Sequence, residues 1–240
     1  MKKSERHRAK RDELVTVFER ISAYMETHLR EVALVAAGVV IAVLSGLEVS
    51  SWVEGRNERS SFLLGELIQA YRAPLALSPE AQQAPAGVVT YASAGERDDK
   101  VIEIADDILA RYGGSKAAPK ALYYKALALT GERRYEDAAK TLDEFLRRYP
   151  GDFLAPLARF ALARVKEAQG NPAEALIQFQ ALADDSGGAF PREEGLLGMA
   201  RCQEAMGKKE EALKIYRKIL SDFPNSAYDA EARSKVDQLS

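Results

Sequence analysis

Residues 117–126 read AAPKALYYKA, and residues 154–163 read LAPLARFALA. The two stretches align at a step of 37 residues, small residue on small residue and proline on proline. The step recurs outward. Ala126, Ala163 and Ala200 are spaced by 37, and so are Ala138, Ala175 and Ala212, with 12 residues from each first alanine to its second. A small side chain recurring at such spacing marks a place where two helices cross closely, since a larger one would push the backbones apart. The flanks keep the same step. Tyr149–Pro150 and Phe223–Pro224 stand 74 residues apart, two periods, and Tyr112–Gly113 stands one period before the first of them. Gly170 and Gly207 each precede a second alanine by five residues, where a glycine ends a helix.

Each unit is therefore a helix, a tight turn and a second helix. The spacing predicts first helices over 117–130, 154–169 and 191–206, and second helices over 134–149, 172–184 and 208–223. An earlier second helix is expected over 97–112, with Val101, Ile104, Ala105, Ile108 and Leu109 on one face. Its expected partner spans 57–73, with Phe62, Leu63, Leu67, Ile68 and Tyr71. A final helix over 226–239, polar on one side, would cap the stack. Between the first two elements, residues 74–95 hold Pro74, Pro79 and Pro85 and read as an irregular excursion. No segment alternates with period two, so no sheet is expected.

Residues 207–216, GKKEEALKIY, followed by Pro224, resemble the second half of a tetratricopeptide repeat, as do YEDA at 135–138 with Pro150 and GNPAEA at 170–175 with Phe179. This sequence departs from the family in places. The later aromatic of the first helix is replaced by Leu129, Lys166 and Gln203, and the middle repeat ends at Ser186–Gly187 without proline. The resemblance implies an all-α, tetratricopeptide-like α-solenoid of stacked helical hairpins over 97–240. It also implies a groove lined by the first helices, with Tyr123, Leu127, Phe160, Arg164, Leu197 and Arg201 at the groove positions. Arg164 and Arg201, one period apart, would form a short basic ladder for carboxylates or carbonyls. The bland alternative makes Phe160 and Leu197 inter-repeat core and the arginines solvated surface.

The N-terminus has a different composition. Residues 2–11 hold six basic residues against Glu5, and the sixteen residues VALVAAGVVIAVLSGL at 32–47 carry no charge. At ~1.5 Å per residue that run makes about 24 Å of helix, and extending it to residue 53 gives about 33 Å, the thickness of a bilayer core. The run is apolar on every face. It reads as one transmembrane helix over 32–53, with Trp52 as an interface anchor, the rival readings being a cleaved signal peptide and a buried core helix. The basic cluster places residues 1–31 in the cytoplasm and the remainder outside, which in a bacterium is the periplasm. Leu14, Phe18, Ile21, Met25 and Leu29 form one helical face within 12–31, suited to a membrane surface or to a docking partner. The expected domains are 1–31, 32–53, 54–96 (first solenoid helix and loop) and 97–240. This whole-chain layout resembles the YfgM-type ancillary subunits of the SecYEG translocon. That resemblance implies a bacterial inner-membrane adaptor whose partners are translocon or envelope-assembly components, periplasmic chaperones or their clients. A scaffold in outer-membrane assembly or in cell-wall and division coordination is the alternative.

Composition narrows the chemistry. Of 240 residues, 34 are Lys or Arg and 36 are Asp or Glu, a net charge of -2 that argues against a nucleic-acid binder driven by bulk charge. One cysteine and two histidines exclude a disulfide scaffold and leave no Cys- or His-rich metal site. Asp106–Asp107 and Asp184–Asp185 are sequence neighbours that diverge by about 100° on a helix, so neither pair converges on one site. No nucleophile elbow and no phosphate loop is present. The reading is a non-enzymatic protein without a cofactor.

Overall fold

The computed structural model describes residues 29–83, 85, 87–185, 187–188 and 190–240, with side chains for only part of residues 29–53. The basic cluster at 2–11 and most of the amphipathic segment 12–31 lie outside the described residues, and so does the side chain of Trp52. The chain divides into two units, Met1–Gly55 and Arg56–Ser240. In the first, the described part is the beginning of helix α1 (Leu29–Arg72). Leu34, Val39, Val40, Ile41, Val43 and Leu44 are exposed there. Among the described residues, no helix is long and apolar enough to cross a membrane.

The second unit is all-α. After the rest of α1 and the one-turn helix α2 (Pro79–Gln82) come α3 (Ala94–Tyr112), α4 (Ala118–Gly131), α5 (Tyr135–Arg148), α6 (Ala155–Ala168), α7 (Pro172–Ala183), α8 (Arg192–Ala205), α9 (Lys209–Asp222) and α10 (Asp229–Leu239). From α3 onward each helix packs on the next in sequence, which is how stacked hairpins bury a continuous core. The periodic alanines carry the crossings. Ala126, Ala163, Ala200, Ala138, Ala175 and Ala212 are all fully buried. Behind them lies a second periodic layer, Leu142, Phe179 and Tyr216, and a third, Phe145, Leu182 and Ile219, each at most 2% exposed. Burying a side chain of this size contributes about 1.5–3 kcal/mol. Helix α10 closes the stack with Ala232 buried and Val236 and Leu239 against the same cluster as Tyr216 and Ile219.

The turns repeat as faithfully as the helices. At the end of each first helix the backbone closes in the same way: Arg134 N–H donates to Leu129 O, Asn171 to Lys166 O and Lys208 to Gln203 O, each at 2.9 Å. This is the six-to-one hydrogen bond of a Schellman motif. Gly170 and Gly207 supply the left-handed residue, both at φ 76°. At the other connection, Ser115, Asp152 and Ser226 N–H donate to Tyr112, Tyr149 and Phe223 O, so Gly113 stands in the same turn that Pro150 and Pro224 occupy. The turn after α7, which lacks proline, differs: Gly187 N–H donates to Asp185 Oδ1 at 2.9 Å.

Two features differ from the sequence reading. Phe62, placed on the buried face of the first solenoid helix, is 69% exposed, while Leu67 is fully buried. The excursion after Arg72 is pinned at its neck: Ala76 N–H donates to Tyr91 O at 2.8 Å and Tyr91 N–H to Pro74 O at 3.3 Å, with one isolated parallel bridge between Leu75 and Tyr91. Pro74 has no N–H to donate, and its carbonyl accepts from Tyr91, so a short closure forms where no strand pattern exists.

Candidate protein-binding groove

Helices α4, α6 and α8 are the first helices of three successive hairpins, and they carry the candidate groove positions. The structure separates those positions into three groups. Leu197 is a correction: it is 3% exposed and belongs to the core cluster of Ala200, Tyr216 and Ile219, so it has no surface to offer a ligand. Phe160 is half-buried against the core, its ring 6.0 Å from Phe179 and 5.2 Å from Phe190, so most of it fills the joint between repeats. Tyr123 and Leu127 are half-buried. Tyr123 stands edge-on to Tyr124 at 5.8 Å, and Tyr124 packs on Tyr71 of α1 at 4.9 Å. Burial pushes the hydroxyls of Tyr71 and Tyr123 above the usual phenol range, as expected for rings desolvated by their neighbours. This tyrosine trio links α1 to the repeats. Sequence reasoning named Tyr71 as core and Tyr123 as groove, but had no signal to bring them together.

Arg164 and Arg201 are placed near each other, yet the basic ladder is not bare. Glu167 stands between them. Its Oε2 accepts from Arg164 Nη1 at 2.7 Å, and its Oε1 lies 3.5 Å from Arg201 Nε. The Arg201 guanidinium also lies 5.8 Å from the centre of the buried Phe179 ring. Glu167 thus occupies the position an incoming carboxylate would take. The only sequence cue was its position three residues after Arg164, where helical side chains meet. Below it, Cys202 is fully buried, and its thiol is pushed up to about 12 by burial and then by the Glu167 carboxylate.

A second polar knot closes the C-terminal end. The Tyr216 hydroxyl donates to Glu204 Oε1, and Lys235 Nζ donates to Glu204 Oε2 at 2.9 Å. Burial, reinforced by the bond to Glu204, pushes the Tyr216 hydroxyl above its usual range. For Glu204, burial alone would raise the carboxyl, but the bonds from Tyr216 and Lys235 outweigh it and hold it low. The surface of α4, α6 and α8 therefore offers half-buried aromatic edges, an arginine pair sharing the one carboxylate of Glu167 and few deep concavities. Such a face suits an extended peptide or a partner helix better than a small molecule.

The hairpins, the period and the buried alanines agree with the family comparison. Tetratricopeptide-repeat profiles match residues 102–153, 133–190 and 194–226, together more than half of the chain. The chain is a tetratricopeptide-repeat protein. Repeats of this family are scaffolds for protein partners. Among solved structures, the TPR-like repeats of a Podosopora anserina chain assigned as a kinesin light chain are similar at 16% identity. That match covers 60% of this chain and 85% of the other, with a TM-score of 0.47. A MamA RS-1 double mutant is similar at 16% identity with the same coverage and a TM-score of 0.43. No curated protein matches the chain.

Proposed function

We propose that this tetratricopeptide-repeat scaffold is tethered to a bacterial inner membrane by one span over residues 32–53. Its N-terminus is cytoplasmic, its repeats are periplasmic, and it acts as a non-enzymatic adaptor that holds proteins near the export machinery. The observation that carries this reading is the uncharged run 32–47 on α1, where Leu34, Val39, Val40, Ile41, Val43 and Leu44 stand 56–74% exposed. Apolar area left in water costs about 25 cal/mol per Å², and a lipid environment removes that cost while the helix satisfies its own backbone. The basic residues at 2–11 favour the cytoplasmic side for the N-terminus. The translocon-associated role rests on the resemblance of layout to YfgM-type subunits. Tethering raises the local concentration of the groove at the membrane, so modest partner affinities suffice.

Alkaline carbonate extraction of membranes tests the anchor, and photocrosslinkers placed over 12–31 test the partner. Retention in the membrane and adducts with a membrane channel are expected. Release by carbonate overturns the anchor. Adducts confined to outer-membrane assembly or division proteins replace the translocon role with the alternative scaffold role.

A further inference from the structure

Short turns between successive packed helices put the turns that follow second helices along one edge of the stack. Two hydrogen bonds fix the beginning of the repeat unit on that edge: Arg56 Nη2 donates to Arg111 O at 2.8 Å, and Lys116 N–H donates to Asn57 Oδ1 at 3.3 Å. The next turn is tied beside it, since Arg148 Nη2 donates to Gly113 O at 2.9 Å. The charge along this edge is graded. In four windows one period apart, the net charge is +3 at 111–120, zero at 148–157, -2 at 185–194 and -3 at 222–231. Arg111, Arg148, Asp222 and Asp229 are paired with Asp107, Glu144, Lys218 and Arg233 just outside these windows, so the cationic end rests on Lys116 and Lys120. The basic end is the end at which the unit begins, with Arg56 and Asn57. It also carries an exposed aromatic. Phe153 is 69% exposed, with the Lys120 ammonium 5.8 Å from its ring centre.

We propose that this edge rests on the anionic surface of a lipid bilayer. Lys116 and Lys120 meet headgroup phosphates, Phe153 enters the interface, and the acidic turns beyond 185 are held away. The proposal rests on the tether of the preceding section. Arg56 begins the unit nine residues after Leu47 along the chain. Basic side chains within a Debye length of an anionic leaflet gain about 1 kcal/mol each. Their aliphatic stems and an aromatic ring can lie in the interface while the charges reach phosphate. The same potential repels the carboxylates of the later turns, so the charge gradient orients the stack.

The test uses the full chain reconstituted in vesicles of phosphatidylcholine, with or without phosphatidylglycerol. An environment-sensitive fluorophore is attached at Phe153→Cys or, for the far turn, at Ala227→Cys, and flotation of the vesicles is scored in parallel. The expected result is a blue shift and protection from an aqueous quencher at 153 only, greater with phosphatidylglycerol and lost in Lys116→Glu/Lys120→Glu. If the chain floats but the probe at 153 is quenched like the one at 227 in both lipids, the edge contact is wrong and the tether stands. A chain that does not float removes both.

Discussion

Arg133 and Gly170 stand one period apart and share the same left-handed backbone conformation, at φ 60° and φ 76°. Each follows the first helix of its hairpin, and the residue after each closes the same six-to-one hydrogen bond. Gly170 adopts this conformation without steric cost, whereas Arg133 carries a Cβ against its carbonyl. Replacing Arg133 by glycine is therefore expected to stabilise the fold by about 0.5–1 kcal/mol after the entropy glycine adds to the unfolded chain. In a thermal melt this is a rise of about 2–4 °C per kcal/mol for a unit of this size. An unchanged or lower midpoint would mean that the Arg133 side chain compensates elsewhere.

The joint between α7 and α8 depends on missing side chains. A methyl group at Gly198 would overlap the buried Phe179 ring, and one at Gly195 would lie 2.7 Å from Ala183 N. Gly198→Ala is expected to cost about 1–3 kcal/mol through overpacking. This outweighs the ~1 kcal/mol that alanine gains over glycine inside a helix. Urea denaturation measures it, and a stabilised Gly198→Ala protein would contradict the packing described.

The bond between Tyr216 and Glu204 ties stability to pH at both extremes. The Tyr216 hydroxyl is raised above its ordinary 10.0, so its contribution is complete below that value and is lost as pH rises beyond it. Glu204 is lowered from its ordinary 4.5, so its contribution is present above that value and is lost as pH falls through the folded pKa. Tyr216→Phe is expected to cost about 1.5–3 kcal/mol at neutral pH, the range for a hydrogen bond to a charged group. The deficit relative to wild type should shrink above pH 10.0. A deficit independent of pH on the alkaline side would show that packing alone, and not the hydroxyl, accounts for it.

Cys202 tests the solidity of the core. With no exposure and a thiol pushed up to about 12, it should react with a thiol reagent only through opening of the stack. The expected result is labelling slower by orders of magnitude than in urea-unfolded chain, and equal rates would refute the burial.

The architecture was legible because stacked hairpins are built from local, repeated contacts. The 37-residue step, the alanine pairs and Gly170 and Gly207 locate every helix of the repeats within a few residues. Groove positions were less legible, because the family pattern specifies a position in a repeat and not what its neighbours do. Phe160 and Leu197 hold one repeat position one period apart, yet Leu197 is core while Phe160 keeps part of its surface. The difference comes from the neighbours each meets, Phe179 and Phe190 in one case, Ala200 and Tyr216 in the other.

By itself the sequence determined the helical hairpins, their period, the crossing alanines and the uncharged run at 32–47, since each is a property of residues close along the chain. Only the tertiary structure decided that Glu167 sits between Arg164 and Arg201, that Tyr216 reaches Glu204 and Lys235 joins it, and that Arg56 meets the last turn of α3. Apart from Arg164–Glu167, three positions apart, these contacts join residues from 12 to 55 positions apart. They depend on where side chains converge once the hairpins stack, and no local periodicity encodes that convergence.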